Sequence, residues 1–491
     1  RSDTPQPRGG LTIANAMLML AESAPAEIAA QFKGVIKQWF SNDFMIEEMN
    51  NSADTPWHKF PLDTVVKVNE ILEDDSIEPI DLSGNNYQMN AGARTIHWSE
   101  EGWTYSIAMT SKRIANCEIG DSNAKGWYTG LGMTHLYNED LTRFEGVNKA
   151  TIDWYRLPGA TSIYGKSLSS QTRNNNSFTG GVTDGTYGVT GMDFATSRNN
   201  LQMKKSWFMF DDEVVALGTG IGGNGELETT LENYMIDEDN RTYSVNGESQ
   251  TMAMDGEVIS YEDASTLHMQ GNVENSDIGF YFPNGLDLNV KSEHRTGKWS
   301  DLGEYNTDTS EVEADYFTAW TSHGENPTDA SYAYVLLPGK TDAETASYAA
   351  SSDVEILQQD DTAHAVYEKS LGILGVNFWQ DGENSLDACG VRNYVNSDSA
   401  ASIMVAEDDN GMEISVSDAT LENDGYINVE INRAAKGILA VDDGVEVVQT
   451  APSIQLKIDV NGSAGKSFTV KLSYDEVELQ STEILSAQMN N

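Results

Sequence analysis

The chain has 491 residues, 39% of them hydrophobic and 22% charged, which excludes a disordered or fibrous class and makes two to four globular domains the prior. Its 77 acidic against 30 basic residues leave a net charge of −47. Such a surface repels polyanions, which excludes nucleic acid as a partner and requires a locally basic groove for any anionic substrate. No run approaches the roughly 18 apolar residues of a membrane span, so no membrane partner is expected. Acidity of this degree is read as solvation in a saline setting, and the expected location is secreted, periplasmic or extracellular. Two cysteines, Cys117 and Cys389, stand far apart without metal-type spacing. They exclude a disulfide framework and a zinc site, and the reading favours two buried thiols over a single bridge.

The start, RSDTPQPRGG, has neither an initiator Met nor a charged-then-apolar leader, so the sequence is read as beginning inside a longer protein. Residues 1–40 carry Arg1, Arg8, Lys33 and Lys37 against Asp3, Glu22 and Glu27, while 381–491 holds 20 acids and 6 bases. An anionic chain would therefore be met electrostatically at the N-terminal end. LTIANAMLMLAES has apolar residues at helical spacing, and Pro25 opens a second helix, AEIAAQFKGVIKQWF, with Glu27 in its first turn. PLDTVVKVNEILEDD (61–75) predicts a third, with Asp63 and Thr64 as start signals. From about Tyr87 the helical period gives way to short alternating runs such as WTYSIAMTSKRIA (103–115), SWFMFDDEVVALG (206–218) and YAYVLLPG (332–339), parted by Gly, Asn and Asp. That is the pattern of a large antiparallel β structure. The Gly-rich stretch GTGIGGNG (218–225) lacks the Lys-Ser/Thr pair and following helix of a phosphate loop and reads as a hairpin connection. A helical interlude at 341–353 follows, and beyond Asp381 shorter strands predict a small separate sandwich.

Residues 112–165 pack NCEIGD, GWYTG, a lone His135 and DWYRLPGATSIYG into one aromatic-rich segment. FTGGVTDGTYGVTGMDF (178–194), KKSWFMFDDEVVALGTGI (204–221) and ETTLEN (228–233) continue in order. This series resembles polysaccharide lyase family 8, the family of hyaluronate, chondroitin AC and xanthan lyases. The resemblance implies a mainly β fold: a large antiparallel β supersandwich and a smaller C-terminal sandwich, preceded by a short helical remnant of an α/α toroid. The expected divisions are 1–80, 81–378 and 379–491, with most of the toroid absent.

The implied activity is β-elimination on a uronic-acid polysaccharide of hyaluronan or chondroitin type. A weakly acidic proton beside a charged carboxylate must leave, so the carboxylate needs neutralising, the proton needs a base and the departing oxygen needs an acid. In the family these tasks fall to an Asn, a His and a Tyr of the toroid, the part expected to precede residue 1, so the missing helical domain is itself an expected partner and the fragment alone is expected to be inactive. An Arg beside the Tyr favours its phenolate, and a Glu holds Arg and His in place. The resemblance carries the arginine role to Arg1 and Arg8, although their spacing of seven departs from the family's four, and the Glu role to Glu118. Asp121 stands where relatives have Asn and is assigned to sugar hydroxyls. Trp127 and Tyr128 are assigned to sugar rings, with Trp127 ranked first; aromatic residues in a β domain also serve simply as core. His135 is read as structural. The family's calcium corner retains only Asp153, with Tyr155 and Tyr164 at other acid positions, so no cofactor is expected and calcium is poorly matched there. The chain is read as a monomer. The reading of a different class is a non-catalytic carbohydrate-binding or structural β protein derived from such a lyase; a glycoside hydrolase would need a second carboxylate that nothing here nominates.

Overall fold

The computed structural model describes residues 7–41, 46, 62–117, 119–120, 123–169, 172–237 and 241–476, with side chains from residue 12 onward. The chain divides into two compact units, Arg1–Ser83 and Gly84–Asn491. No helix among the described residues is long and apolar enough to cross a membrane.

Among its described residues the first unit shows the helices Pro7–Ala21, Ala26–Phe40 and Leu62–Glu73, the first of which starts ahead of the predicted span. Ala14, Leu18, Ile36, Phe40, Val68 and Ile71 form their shared core. Pro25 occupies the N-cap of the second helix, where its missing amide costs nothing, and Glu27 and Lys37 complement the helix dipole at the two ends. Gly34 lets the chain at 78–80 lie against this helix, because a Cβ there would stand 2.7 Å from the Ile80 side chain.

The second unit is β throughout, apart from short helical turns and the helix Asp342–Ala350, which Thr341 and Glu344 start with a reciprocal capping box. A four-stranded sheet (Asn85–Met89, Arg94–Trp98, Thr104–Ala108, Met133–Tyr137) shares one core with a twelve-stranded sheet. All pairs are antiparallel, and inward positions alternate along strands such as Thr104–Ala108, where Tyr105 and Ile107 are buried. Seven- and five-stranded sheets then form the smaller sandwich around Leu374, Ile403, Ile414, Ile427 and Leu456.

The central strands of the seven-stranded sheet are buried on both faces. Its outer side chains Val366, Ile373 and Met404 pack with Val189, Phe208, Val215 and Val335 of the large sheet. Gly375 marks the closest approach: a Cβ there would meet Val189 at 2.4 Å. A polar spine crosses the same contact, with His364 bonded to Thr219 (2.8 Å) and Ser206 (2.9 Å), and Asn377 donating to Ser206 (2.9 Å). Strands Val354–Gln359, Ala363–Glu368 and Ile373–Phe378 pair within this sheet, so the smaller sandwich begins at Val354 and not at residue 379. Ala363–Glu368 and Ile373–Phe378 are buried on both faces and lack the period-two alternation that would have set them apart in the sequence. The Gly-rich run at 218–225 is likewise not a hairpin: Val214–Gly222 pairs with Gln202–Met209 and Ala330–Pro338, whereas Glu226–Ile236 pairs with Glu311–Glu325 and Thr161–Ile163. Cys117 is buried, Cys389 is half-buried, and they are not bonded to each other.

Candidate functional site

The segment that the sequence marks as chemical, 109–132, links Thr104–Ala108 to Met133–Tyr137 as a long loop pinned at several points. Asn116 is fully buried and donates to the Trp127 carbonyl at 3.1 Å. Gly130 permits this clamp, because a Cβ there would lie 2.1 Å from the Asn116 carbonyl oxygen. Gly120 and Asn123 exchange two backbone hydrogen bonds of 3.1 Å, and the Ala124 amide donates to the Leu302 carbonyl. Glu118, Asp121 and Arg1 themselves lie outside the described residues, and Arg8 is described only as backbone in the first helix.

Trp127 is half-buried and stacks on Tyr155, with ring centroids 5.0 Å apart and planes 25° apart. Tyr155 meets the exposed Tyr164 edge-on at 5.9 Å. Tyr128 has no exposed surface; its hydroxyl donates to the Lys166 carbonyl (2.5 Å) and accepts from the Ile163 amide (3.2 Å). The sugar-contact role expected of Tyr128 is therefore corrected: a ring without solvent-facing atoms and with its hydroxyl satisfied by backbone is core, and it holds the Trp127 loop to the 163–166 corner. His135 stacks on Tyr137 within its strand.

Behind the aromatic rings lies a buried ion pair. Arg156 makes a bidentate contact with Glu228 (Nε to Oε2 2.8 Å, Nη2 to Oε1 3.0 Å) and sits between the rings of Tyr164 (4.1 Å) and Trp320 (3.9 Å). Burial works against the guanidinium charge, yet the Glu228 carboxylate raises its pKa above the ordinary arginine value. Asp153, the retained acid of the corner, stands 3.8 Å from Arg156 and accepts the Tyr155 amide. The positive group at this corner is thus a guanidinium. Gly159 turns the chain with φ +74, and a Cβ there would strike the Gly132 carbonyl at 2.6 Å.

A second cluster was not nominated from the sequence, which assigned no metal ligands. Asp211, Asp212 and Glu213 form the turn between Gln202–Met209 and Val214–Gly222, and each can bring one carboxylate oxygen within 4.8 Å of the others. Glu213 is 3% exposed, and its Oε1 has no hydrogen-bond partner among the described residues. Burial, then the Asp212 carboxyl beside it, pushes the Glu213 pKa up to about 10. The buried Tyr348 hydroxyl, also without a partner among the described residues, is close enough that Glu213 helps raise its pKa. A hard divalent cation such as calcium would take one oxygen from each of these three carboxyls, displacing the proton that burial keeps on Glu213, while Asp212 also pairs with Lys340 (2.8 Å). Calcium is expected to raise the melting temperature by several degrees and a chelator to reverse the rise. Glu213→Gln should lose the calcium response in the same differential scanning measurement. The sequence signal was a DDE turn between two runs without alternation, SWFMF and VVALG, which places its last acid beside a fully buried strand.

The fold is thus a supersandwich continued by a smaller sandwich, with an aromatic corner beside the four-stranded sheet. The profile described as "Polysaccharide lyase family 8, super-sandwich domain" matches residues 85–349, and that of the family's "C-terminal beta-sandwich domain" matches 355–426. The chain belongs to polysaccharide lyase family 8. It is 37% identical over 474 residues to the xanthan lyase of Bacillus sp. (strain GL1), covering 95% of this chain and 49% of that protein. It is 27% identical over 486 residues to a hyaluronate lyase of Enterococcus faecalis, covering 94% and 46%. The structure superposes on Paenibacillus xanthan lyase with a TM-score of 0.85 at 34% identity, over 96% of this chain and 44% of that one. The chain spans about half the length of the curated relatives it matches.

Proposed function

We propose that the chain supplies the β-sandwich portion of a lyase that cleaves a uronic-acid-containing polysaccharide by β-elimination. The observation that carries this reading is the 37% identity to a xanthan lyase sustained over 95% of the chain, including the pinned 109–132 loop. Glu118 is assigned, from the family resemblance of the NCEIGD run, to hold cationic and proton-shuttling groups in register, with Arg1 and Arg8 as the cations. Asp121 is assigned to sugar hydroxyls and Trp127 to a sugar ring. The catalytic work on the proton and the departing oxygen is assigned to groups on the helical domain of the family. The polymer is a hyaluronan, chondroitin or xanthan type of chain, as the relatives' names record for those proteins. The same reading takes the protein to work as a monomer outside the cell. Its division is a helical segment to about residue 80, the supersandwich, and a smaller sandwich from Val354.

Incubation of the full gene product with hyaluronan, chondroitin and xanthan, followed by ultraviolet absorbance of the new double bond, tests the reading. A rise with at least one polymer is expected. Binding without any rise would favour the non-catalytic alternative.

A further inference from the structure

The sequence around the loop differs in charge from the rest of the molecule. Residues 112–173 hold eight basic and six acidic residues, a balance of +2 inside a chain of −47. In a field that otherwise repels anions, such a segment is where an anionic polymer can settle. Four of these eight cations are engaged as follows. Arg143 and Arg156 are buried against Glu232 and Glu228, Lys112 pairs with Glu422, and Arg113 donates to the Ser177, Thr179 and Thr420 carbonyls.

Lys125 and Lys166 differ. Neither pairs with a carboxylate among the described residues, and the Lys166 ammonium donates only to the Asn224 carbonyl (2.8 Å). Both flank the aromatic surface. The Trp127 amide donates to the Lys125 carbonyl (2.8 Å), and the Lys166 carbonyl receives the hydroxyl of Tyr128, next in sequence to Trp127. Lys166 also lies two residues beyond Tyr164. Trp127 and Tyr155 are stacked and half-buried, and Tyr164, 38% exposed, stands edge-on to Tyr155. The Arg156 guanidinium braces Tyr164 from behind and, neutralised by Glu228, adds no free charge.

Flat rings stack on the apolar faces of pyranoses, and phenol hydroxyls at their margin reach sugar hydroxyls. Ammonium groups at the edge favour a carboxylate there. We propose that Trp127, Tyr155 and Tyr164, flanked by Lys125 and Lys166, form a subsite that stacks one carboxylate-bearing pyranose of an acidic polysaccharide. It rests on the lyase reading for the class of glycan alone. Tyr155 and Tyr164 thereby supply ring surface at this corner.

Calorimetric titration of the chain with hyaluronan, chondroitin and xanthan oligosaccharides, with a neutral glucan as control, tests the subsite. At least one uronate glycan should bind, and the neutral glucan should bind at least about tenfold more weakly. Trp127→Ala and, independently, the exposed Tyr164→Ala should each weaken binding about tenfold. Lys125→Gln combined with Lys166→Gln should weaken it by a similar factor and flatten its salt dependence. The lysine pair carries no buried contact with a carboxylate among the described residues and should keep the wild-type melting temperature, which guards against a folding artefact. Wild-type affinity in these variants, equal affinity for the neutral glucan, or no binding of any uronate glycan overturns the proposal. The two readings fail separately. Binding that depends on these residues in a gene product that forms no unsaturated sugar removes the lyase reading and leaves the subsite. Unsaturated product formed at unchanged kcat/KM by all the variants removes the subsite and leaves the lyase.

Discussion

Acidification from about pH 6.5 to about pH 5 is expected to remove on the order of 4 kcal/mol from the stability of the β unit, through His97 and His364 alone. Both imidazoles are essentially without exposed surface. His97 is bonded to the Phe210 carbonyl (2.9 Å), and burial lowers its pKa from 6.5 to about 4. His364 lies between Thr219 and Ser206, and burial, assisted by the nearby Lys204 charge, lowers its pKa to about 3. Above pH 6.5 neither the folded nor the unfolded chain protonates them. Below it the unfolded chain takes up two protons that the folded chain refuses until about pH 4 or lower, so stability falls as pH drops through this window. Since whole domains are stable by about 5–15 kcal/mol, the loss is a large share. Urea midpoints across the window should fall steeply, and His364→Gln should flatten the slope by about a third, since burial also lowers the His323 pKa to about 4. A pH-independent midpoint would contradict the burial of these rings.

Arg156→Ala is expected to cost about 3–5 kcal/mol, because it strands the Glu228 carboxylate, 3% exposed, without its bidentate partner. It also removes the cation that lies between Tyr164 and Trp320. Replacing both charges, Arg156→Met with Glu228→Leu, should recover most of the loss, since apolar packing can replace a buried ion pair at little net cost. Denaturation of the single and double variants checks this. A loss below about 1 kcal/mol for Arg156→Ala would mean that water reaches the pair.

Much of the fold could be read from pattern. Apolar spacing and Pro25 announce the first two helices, and the alternation of WTYSIAM yields the buried Tyr105 and Ile107 of a half-solvated strand. The limits have physical causes. Alternation disappears where a sheet is covered on both sides, so the strands between Val354 and Phe378 could not be assigned to the correct sandwich from sequence alone. Tyr128 and Trp127 are neighbours of similar chemistry, and only the backbone path decides that one ring is enclosed while the other keeps an open part. The Asp211–Glu213 turn looked like an ordinary polar connection. Its distinction is the orphaned Glu213 oxygen, a tertiary fact that no local spacing records. Tyr155 and Tyr164 read as lost metal ligands because the corner was judged by its carboxylates, whereas the fold brings the rings to Trp127 across the loop.

The central claim is elimination on a uronate polymer, with this chain providing the pinned loop and its aromatic wall. Proton NMR of the products formed by the full gene product tests it most directly. One vinylic proton at a new non-reducing end for each glycosidic bond broken is the predicted result. Bonds broken with only saturated ends formed would mean hydrolysis and would contradict the account.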